Sequence, residues 1–355
     1  MTAVFPNQKR DTAGDFVVDA QGLTKQFGSE YAVRDLTFQI PKGKIIGLIG
    51  PSGSGKTTTV RLLMGIYTPT AGKVAVLGAS PKYFTSQLRE RMGYMPQHFA
   101  LYPDLSVMEN MNFAASLYGL GLLSRRKRLS NLLEFVELSK DRYKLARDIS
   151  GGMKRRLSLA ATLVHNPELV FLDEPTAGID PILRRKFWDH FQELKKDGHT
   201  LFITTQYVNE AAYCDLVGVM VEGRLLILQT PERLRRGAFG GDVLDLKTNN
   251  PVDWNLISQI SKLPFVRGKP RNTSENMLRI VVDDASTALP ALLNWLNEQK
   301  VQVASLEEYL PPFDDVFVQI VEQAQAREKS GETDSGLVGD EQGRGDGQAQ
   351  NEERQ

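Results

Sequence analysis

The segment Gly50-Pro51-Ser52-Gly53-Ser54-Gly55-Lys56-Thr57-Thr58 fits G-x-x-x-x-G-K-[ST], the pattern of a loop that cradles nucleotide phosphates. Glycines let backbone N–H groups close around the β- and γ-phosphates, and the N-terminus of a following helix adds partial positive charge. Lys56 neutralises phosphate oxygens, and the Thr57 hydroxyl can ligate Mg²⁺. A second candidate is Leu169-Val170-Phe171-Leu172-Asp173-Glu174, an apolar run that ends in two carboxylates. Beside a phosphate loop, Asp173 would hold the metal through water, and Glu174 would orient and deprotonate an attacking water. A third is Ser150-Gly151-Gly152, a serine and two unobstructed glycines ahead of a helix beginning near Met153. That is either a second anion site or an ordinary serine cap, and the residues alone favour the cap.

These groups need elements to hold them. Lys44 to Ile49 reads as a buried strand entering the phosphate loop, and Thr58 to Met64 as a helix leaving it. Strands are expected at Phe16 to Ala20, Val33 to Ile40 and Gly72 to Leu77, and a short helix at Ser86 to Met92. From about 97 to 162 the apolar spacing turns helical, over Met108 to Leu120, Leu123 to Leu138 and Met153 to Leu163, which makes a helical insert. Strands resume at Leu169 to Leu172, Thr200 to Thr204, Val217 to Val221 and Leu225 to Leu228, and Pro231 to Arg236 closes the unit. The glycines around Phe239 mark a boundary.

Beyond it comes a βαββαβ order, suggesting a small ferredoxin-like α+β domain. Its parts are a strand at Val243 to Lys247, a helix at Val252 to Leu263, strands either side of Asn272 to Glu275, a helix at Ala288 to Glu298 and a strand at Val301 to Leu306. Phe313 to Glu322 reads as a last amphipathic helix. The organisation expected is a flexible N-terminus (1–14), a nucleotide-binding unit (15–238), the α+β domain (242–324) and a polar, disordered tail (325–355).

In order and spacing the motifs resemble the ATP-binding subunit of ABC transporters, with a P-loop, RecA-like α/β cassette. Gly50 to Thr58 looks like its Walker A, Leu169 to Glu174 its Walker B and Ile149 to Met153 its signature sequence. The resemblance implies that Gln97, in Tyr94-Met95-Pro96-Gln97, touches Mg²⁺ or water and senses a membrane partner, and that Phe27 stacks on adenine. It implies that Asp180, in Ala177-Gly178-Ile179-Asp180, communicates across a dimer. Such cassettes work head to tail, so Ser150, Gly151 and Gly152 of one subunit would close over ATP on the other. Ser150 to Arg156, Glu174 to Pro181 and Pro311 to Phe317 resemble the daunorubicin-resistance type of exporter, which carries a small domain after its cassette.

One position departs from that family. After Leu201-Phe202-Ile203-Thr204-Thr205, where a histidine usually meets the γ-phosphate, this chain has Gln206. Glutamine donates a hydrogen bond but cannot carry imidazole's charge or proton. The expectation is full-affinity ATP binding with slow turnover that depends on Glu174, Gln97 and Gln206. His98, His165, His190 and His199 show no metal-ligand spacing and read as structural or surface residues.

The rest of the composition bounds the role. Lys and Arg number 43 against 43 Asp and Glu, so no global charge draws the chain to nucleic acid. The single cysteine, Cys214, excludes an internal disulfide. Met1 to Ala20 lacks a secretory pattern and no apolar run spans a bilayer, so action at the cytoplasmic face of a membrane would need an integral permease as partner. Arg125-Arg126-Lys127-Arg128 reads as a solvated helix face, and the apolar loop Leu101 to Val107 as core or as part of a permease groove. The resulting expectation is an ATPase that drives export of a drug, lipid or other amphipathic substrate. The rivals are a nucleotide-dependent switch with little turnover and an ABC ATPase acting on nucleic acid or ribosomes.

Overall fold

The computed structural model describes residues 16–98 and 100–330. The flexible N-terminus expected over 1–14 and the tail from 331 onward lie outside them. The chain first forms β1 (Phe16–Phe27) and β2 (Glu30–Pro41), then β3 (Ile45–Ile49), α1 (Lys56–Leu63) and β4 (Ala71–Val76). A short α2 (Ser86–Arg89) leads into β5 (Met92–Met95), followed by α3 (Val107–Leu117), α4 (Leu122–Phe135) and α5 (Gly151–Thr162). Then come β6 (Leu169–Asp173), α6 (Pro181–Lys196), β7 (Thr200–Thr205), β8 (Leu216–Val221), β9 (Arg224–Gln229) and α7 (Pro231–Phe239).

The central sheet has the order β5-β6-β7-β3-β8-β9, parallel except for β9. Its middle strands are covered on both faces, which is why β3, β6 and β7 read as continuous apolar runs rather than alternating ones. The pleat still sorts their side chains. Ile46, Leu48, Phe171 and Phe202 pack toward the antiparallel sheet β2-β1-β4 and toward Val60, Leu62 and Leu63 of α1. Ile45, Ile49, Val170, Leu172, Leu201 and Ile203 pack toward the helices on the other face. Cys214 is buried there, and burial pushes its thiol up from the ordinary range.

The second unit is β10 (Asp242–Thr248), α8 (Trp254–Ile260), β11 (Val266–Ser274), β12 (Met277–Val282), α9 (Ala285–Glu298) and β13 (Val303–Tyr309). Its antiparallel sheet runs β11-β12-β10-β13 and keeps the expected βαββαβ order. The last helix among the described residues, α10 (Phe313–Ser330), leaves this domain again: Phe313, Val316 and Ile320 are buried in the cassette's helical core.

Several expectations need correction. The helix expected over Ser86 to Met92 is a single turn, and Met92 already belongs to a strand that pairs with Leu169. The strand pair around Asn272 turns later, because β11 runs through Asn272 to Ser274. The start of the tail is overtaken by α10, which is helical to Ser330, and α10 packs on the cassette although the sequence reading assigns it to the second domain. Arg125 and Arg128 are not simply solvated. Arg128 donates to the carbonyls of Val164 and Leu163 at 2.5 and 2.7 Å, satisfying orphan acceptors at the end of α5, and Arg125 donates to Leu120 O at 2.7 Å.

Candidate functional site

The carboxyl ends of β3, β6 and β7 lie side by side, with Ile49 opposite Thr205 and Asp173 opposite Thr204. Ligands of open parallel sheets bind at this edge, where loops and helix N-termini converge. The phosphate loop needs its glycines for space: a Cβ on Gly50 would stand 2.1 Å from Met220 O. Gly55 has φ +100° and caps α1, and a Cβ there would meet Ala32 O at 2.3 Å.

Lys56 is 4% exposed, and its ammonium donates to Gly50 O and Pro51 O, both at 2.9 Å. Burial lowers its pKa from the ordinary lysine range, opposed by the charges of Glu174 and Asp173. Thr57 Oγ1 donates to Asp173 Oδ1 at 3.0 Å, and Thr204 Oγ1 donates to the same oxygen at 2.6 Å. Asp173 is 0% exposed, and its other oxygen, Oδ2, has no partner within the protein. A buried carboxylate oxygen left unpaired carries a full desolvation cost, and a cation beside it removes that cost. The pair Thr57 and Asp173 therefore fits a Mg²⁺ ion that keeps waters and takes its remaining ligands from phosphate.

Glu174 sits one residue beyond the strand in the left-handed region, at φ 49°. Its backbone N–H donates to Thr204 O at 3.1 Å and to Thr204 Oγ1 at 3.0 Å, and these bonds hold the strained turn. One carboxylate oxygen lies 3.9 Å from Lys56 Nζ, and the other accepts from Gln97 Nε2 at 2.9 Å. Gln97 thus meets Glu174 through its amide nitrogen, leaving its carbonyl oxygen as the atom that could face a metal or water.

The structure gathers Lys56, Thr57, Gln97, Asp173 and Glu174 into one cluster, with Gly50 and Pro51 bonded to it through Lys56, whereas Phe27, Ser150 to Gly152, Asp180 and Gln206 make no hydrogen bond to it. Phe27 ends β1, 46% exposed, with its ring 5.3 Å from that of Tyr67 at 77° and Lys25 Nζ 4.9 Å above it. Ser150 caps α5 by accepting from Met153 N at 3.2 Å, and Gly151 opens onto free space. Gly152 lies against α6, where a Cβ would meet Leu183 at 2.7 Å; Leu183 N in turn donates to the cap Asp180 at 2.9 Å. The segments expected to serve as signature and as dimer-communication loop are therefore neighbours within the chain. Gln206 is exposed at the end of β7 and lines a cleft of about 340 Å³ with Arg184, Glu210 and Asp314.

Sequence reasoning misses three contributors. Thr204 bonds both carboxylate residues, and its signal is the hydroxyl pair Thr204-Thr205 that follows the apolar run Leu201 to Ile203. Arg155 of α5 is buried near the same acids; burial lowers its pKa and the charges of Glu174 and Asp173 oppose that. Glu210, 2% exposed, accepts from Thr176 Oγ1 at 2.7 Å and ties the loop after Glu174 to the segment after Gln206.

Known proteins are similar to this chain in sequence and in fold. A family model described as ABC transporter matches residues 33–177, which carry Lys56, Gln97, Ser150 and Asp173. The probable multidrug ABC transporter ATP-binding protein YbhF of Escherichia coli is 38% identical over 224 residues, 63% of this chain. That match spans only 39% of YbhF's length. The daunorubicin resistance ATP-binding protein DrrA3 of Streptomyces coeruleorubidus is 34% identical over 307 residues, covering 86% of this chain and 96% of DrrA3. Among solved structures, the ATP-binding cassette MJ0796, a dimer in a post-hydrolysis state bound to ADP and Pi, superposes with a TM-score of 0.56 at 25% identity, over 60% of this chain and 98% of its own. Among the described residues no helix is long and apolar enough to cross a membrane. With one relative matched over nearly its whole length and the family model lying on the phosphate-loop strand and the Asp173 strand, this chain belongs to the ABC transporter ATP-binding proteins.

Proposed function

We propose that this chain is the ATP-hydrolysing subunit of an exporter for a drug-like or otherwise amphipathic substrate. It would pair head to tail with a second cassette and bind an integral permease at the cytoplasmic face of the membrane. The observation that carries the reading is Asp173, fully buried with one oxygen unpaired beside Thr57 and the Lys56–Glu174 pair. The resistance function named for DrrA3 and the dimer named for MJ0796 support the export and pairing parts.

The phosphate-loop amides and Lys56 bind and orient the triphosphate, and in doing so draw the ammonium away from Gly50 O and Pro51 O. Thr57 and Asp173 would hold a Mg²⁺ ion, which would supply charge neutralisation for the phosphates. Glu174, held by Gln97, accepts a proton as water attacks the γ-phosphorus and the bond to ADP breaks. Ser150 to Gly152 of the second cassette would close on the γ-phosphate, so that binding draws the subunits together and hydrolysis releases them.

Steady-state ATPase rates and nucleotide binding test this reading. Glu174→Gln should lower kcat by about 10²–10⁴-fold with ATP affinity retained. Hydrolysis as fast as wild type would remove Glu174 from its role. A switch with little turnover is the second reading, favoured by Gln206 alone. Gln206→His should raise kcat roughly ten-fold, the effect of one charge-assisted contact. An unchanged rate would show that the glutamine is not limiting.

A further inference from the structure

We propose that Asp314, on the returning helix α10, is a positioning residue for ATP turnover: through Asn209 it fixes the loop that presents Gln206. This inference rests on the ATPase reading above.

Gln206 stands between the end of β7 and a 3₁₀ turn, Val208–Tyr213, and its own side chain is exposed. What holds it is the segment around it. Tyr207 N donates to Thr205 Oγ1 at 3.0 Å, and the Arg184 guanidinium lies 3.8 Å over the Tyr207 ring. Glu210 accepts from Thr176 and lies 3.6 Å from Arg184 Nε, which ties the turn to the loop following Glu174. At the far end of the turn Gln192 Nε2 donates to Tyr213 O at 2.8 Å, and a further tie comes from far along the chain: Asn209 Nδ2 donates to Asp314 Oδ2 at 2.7 Å.

Asp314 is held firmly enough to act as a fixed point. Its neighbours Phe313 and Val316 are buried in the cassette core, and Arg235 covers the Phe313 ring at 4.1 Å while donating to Pro311 O at 3.2 Å. Further along α10, Gln323 Nε2 donates to Ala238 O at 2.9 Å. The chain thus leaves the cassette at α7, builds the four-stranded domain and returns to place a carboxylate beside the Gln206 loop. Because that loop borders a cleft of about 340 Å³, it has room to shift when the tie is cut. A displacement of the loop moves a group that acts on the γ-phosphate without altering the loop that binds the triphosphate. The signature of Asp314 is therefore a change in kcat with little change in KM.

The full chain is assayed for steady-state Mg-ATP hydrolysis. Asp314→Ala should lower kcat about five-fold with KM within about two-fold. Asp314→Asn should restore the rate, since its amide oxygen still accepts from Asn209, and the exposed Asn209→Ala should reproduce the loss. In a Gln206→Ala background, Asp314→Ala should cost nothing further. Gln323→Ala, which cuts a comparable bond on the same helix away from the loop, should leave kcat unchanged. An undiminished five-fold loss in the Gln206→Ala background, an equal loss in Gln323→Ala, or no loss in Asp314→Ala overturns the inference. Wild type that binds ATP without hydrolysing it overturns the ATPase reading and this inference together, whereas active wild type with an indifferent Asp314→Ala overturns this inference alone.

Discussion

Asp173 at the end of β6 and Asp245 inside β10 are both buried carboxylates, at 0% and 5% exposure, but their oxygens have different partners. Asp245 stands directly opposite Arg279 on β12, and the guanidinium bonds both of its oxygens, at 2.8 and 2.9 Å. That pairing raises the Arg279 pKa, and the guanidinium also lies 3.4 Å over the Tyr309 ring. Asp173 has two hydroxyl donors on one oxygen and none on the other. Each arrangement suits a different use. A bidentate pair across two strands is complete within the chain and fixes register. A half-satisfied buried acid beside a phosphate loop is complete only with a ligand.

The largest effect that could break this contrast is on turnover. Asp173→Asn should lower kcat by at least about a hundred-fold, because it removes the charge that would hold the proposed metal, while stability shifts by no more than about 1 kcal/mol. Asp245→Asn should do the reverse: turnover within two-fold of wild type, and a loss of about 1–2 kcal/mol in denaturant unfolding as the bidentate ion pair becomes a single bond from the guanidinium to a neutral amide oxygen. If Asp245→Asn stopped hydrolysis, or Asp173→Asn unfolded the protein, the distinction between a ligand site and a structural pair would fail.

The legibility of these elements follows the same divide. The strands that carry the site were readable because parallel strands covered on both faces become short apolar runs, and the phosphate loop has a spacing that little else requires. β5 was harder. It is only four residues long and follows a single helical turn, so its apolar residues extend the preceding helix pattern. The sequence reading leaves 181–196 without an element, although Asp180 and Pro181 make a helix start and Phe187, Trp188, Phe191 and Leu194 mark a buried stripe. The return of α10 to the cassette could not be read at all. An amphipathic pattern reveals that a helix has an apolar face, and not which surface that face covers. The same limit hid Thr204 and Glu210, whose partners are 30 or more residues distant in sequence.

A smaller effect probes how the fold treats a half-buried titratable group away from the ligand site. His165 stacks on Tyr118 with ring centroids 3.6 Å apart, and its Nε2 faces Met92 O at 2.9 Å. Burial lowers its pKa below the usual 6.5, and Arg128 adds to that, while the Met92 carbonyl and Glu90 oppose it. The folded state therefore resists the proton that the unfolded chain accepts below about pH 6.5. Stability is full above that value and is lost as pH falls toward the lower folded pKa, with a slope of at most about 1.4 kcal/mol per pH unit from this one group. His165→Gln keeps a donor for Met92 O and removes the titration. Its unfolding free energy should be lower throughout, because the stack on Tyr118 is lost, yet flatter than wild type between pH 7.5 and the acid limb. Denaturant titrations at several pH values measure that slope directly. An equal slope in both proteins would mean that His165 takes up its proton without unfolding, and that a half-buried group away from the phosphate end can bear charge.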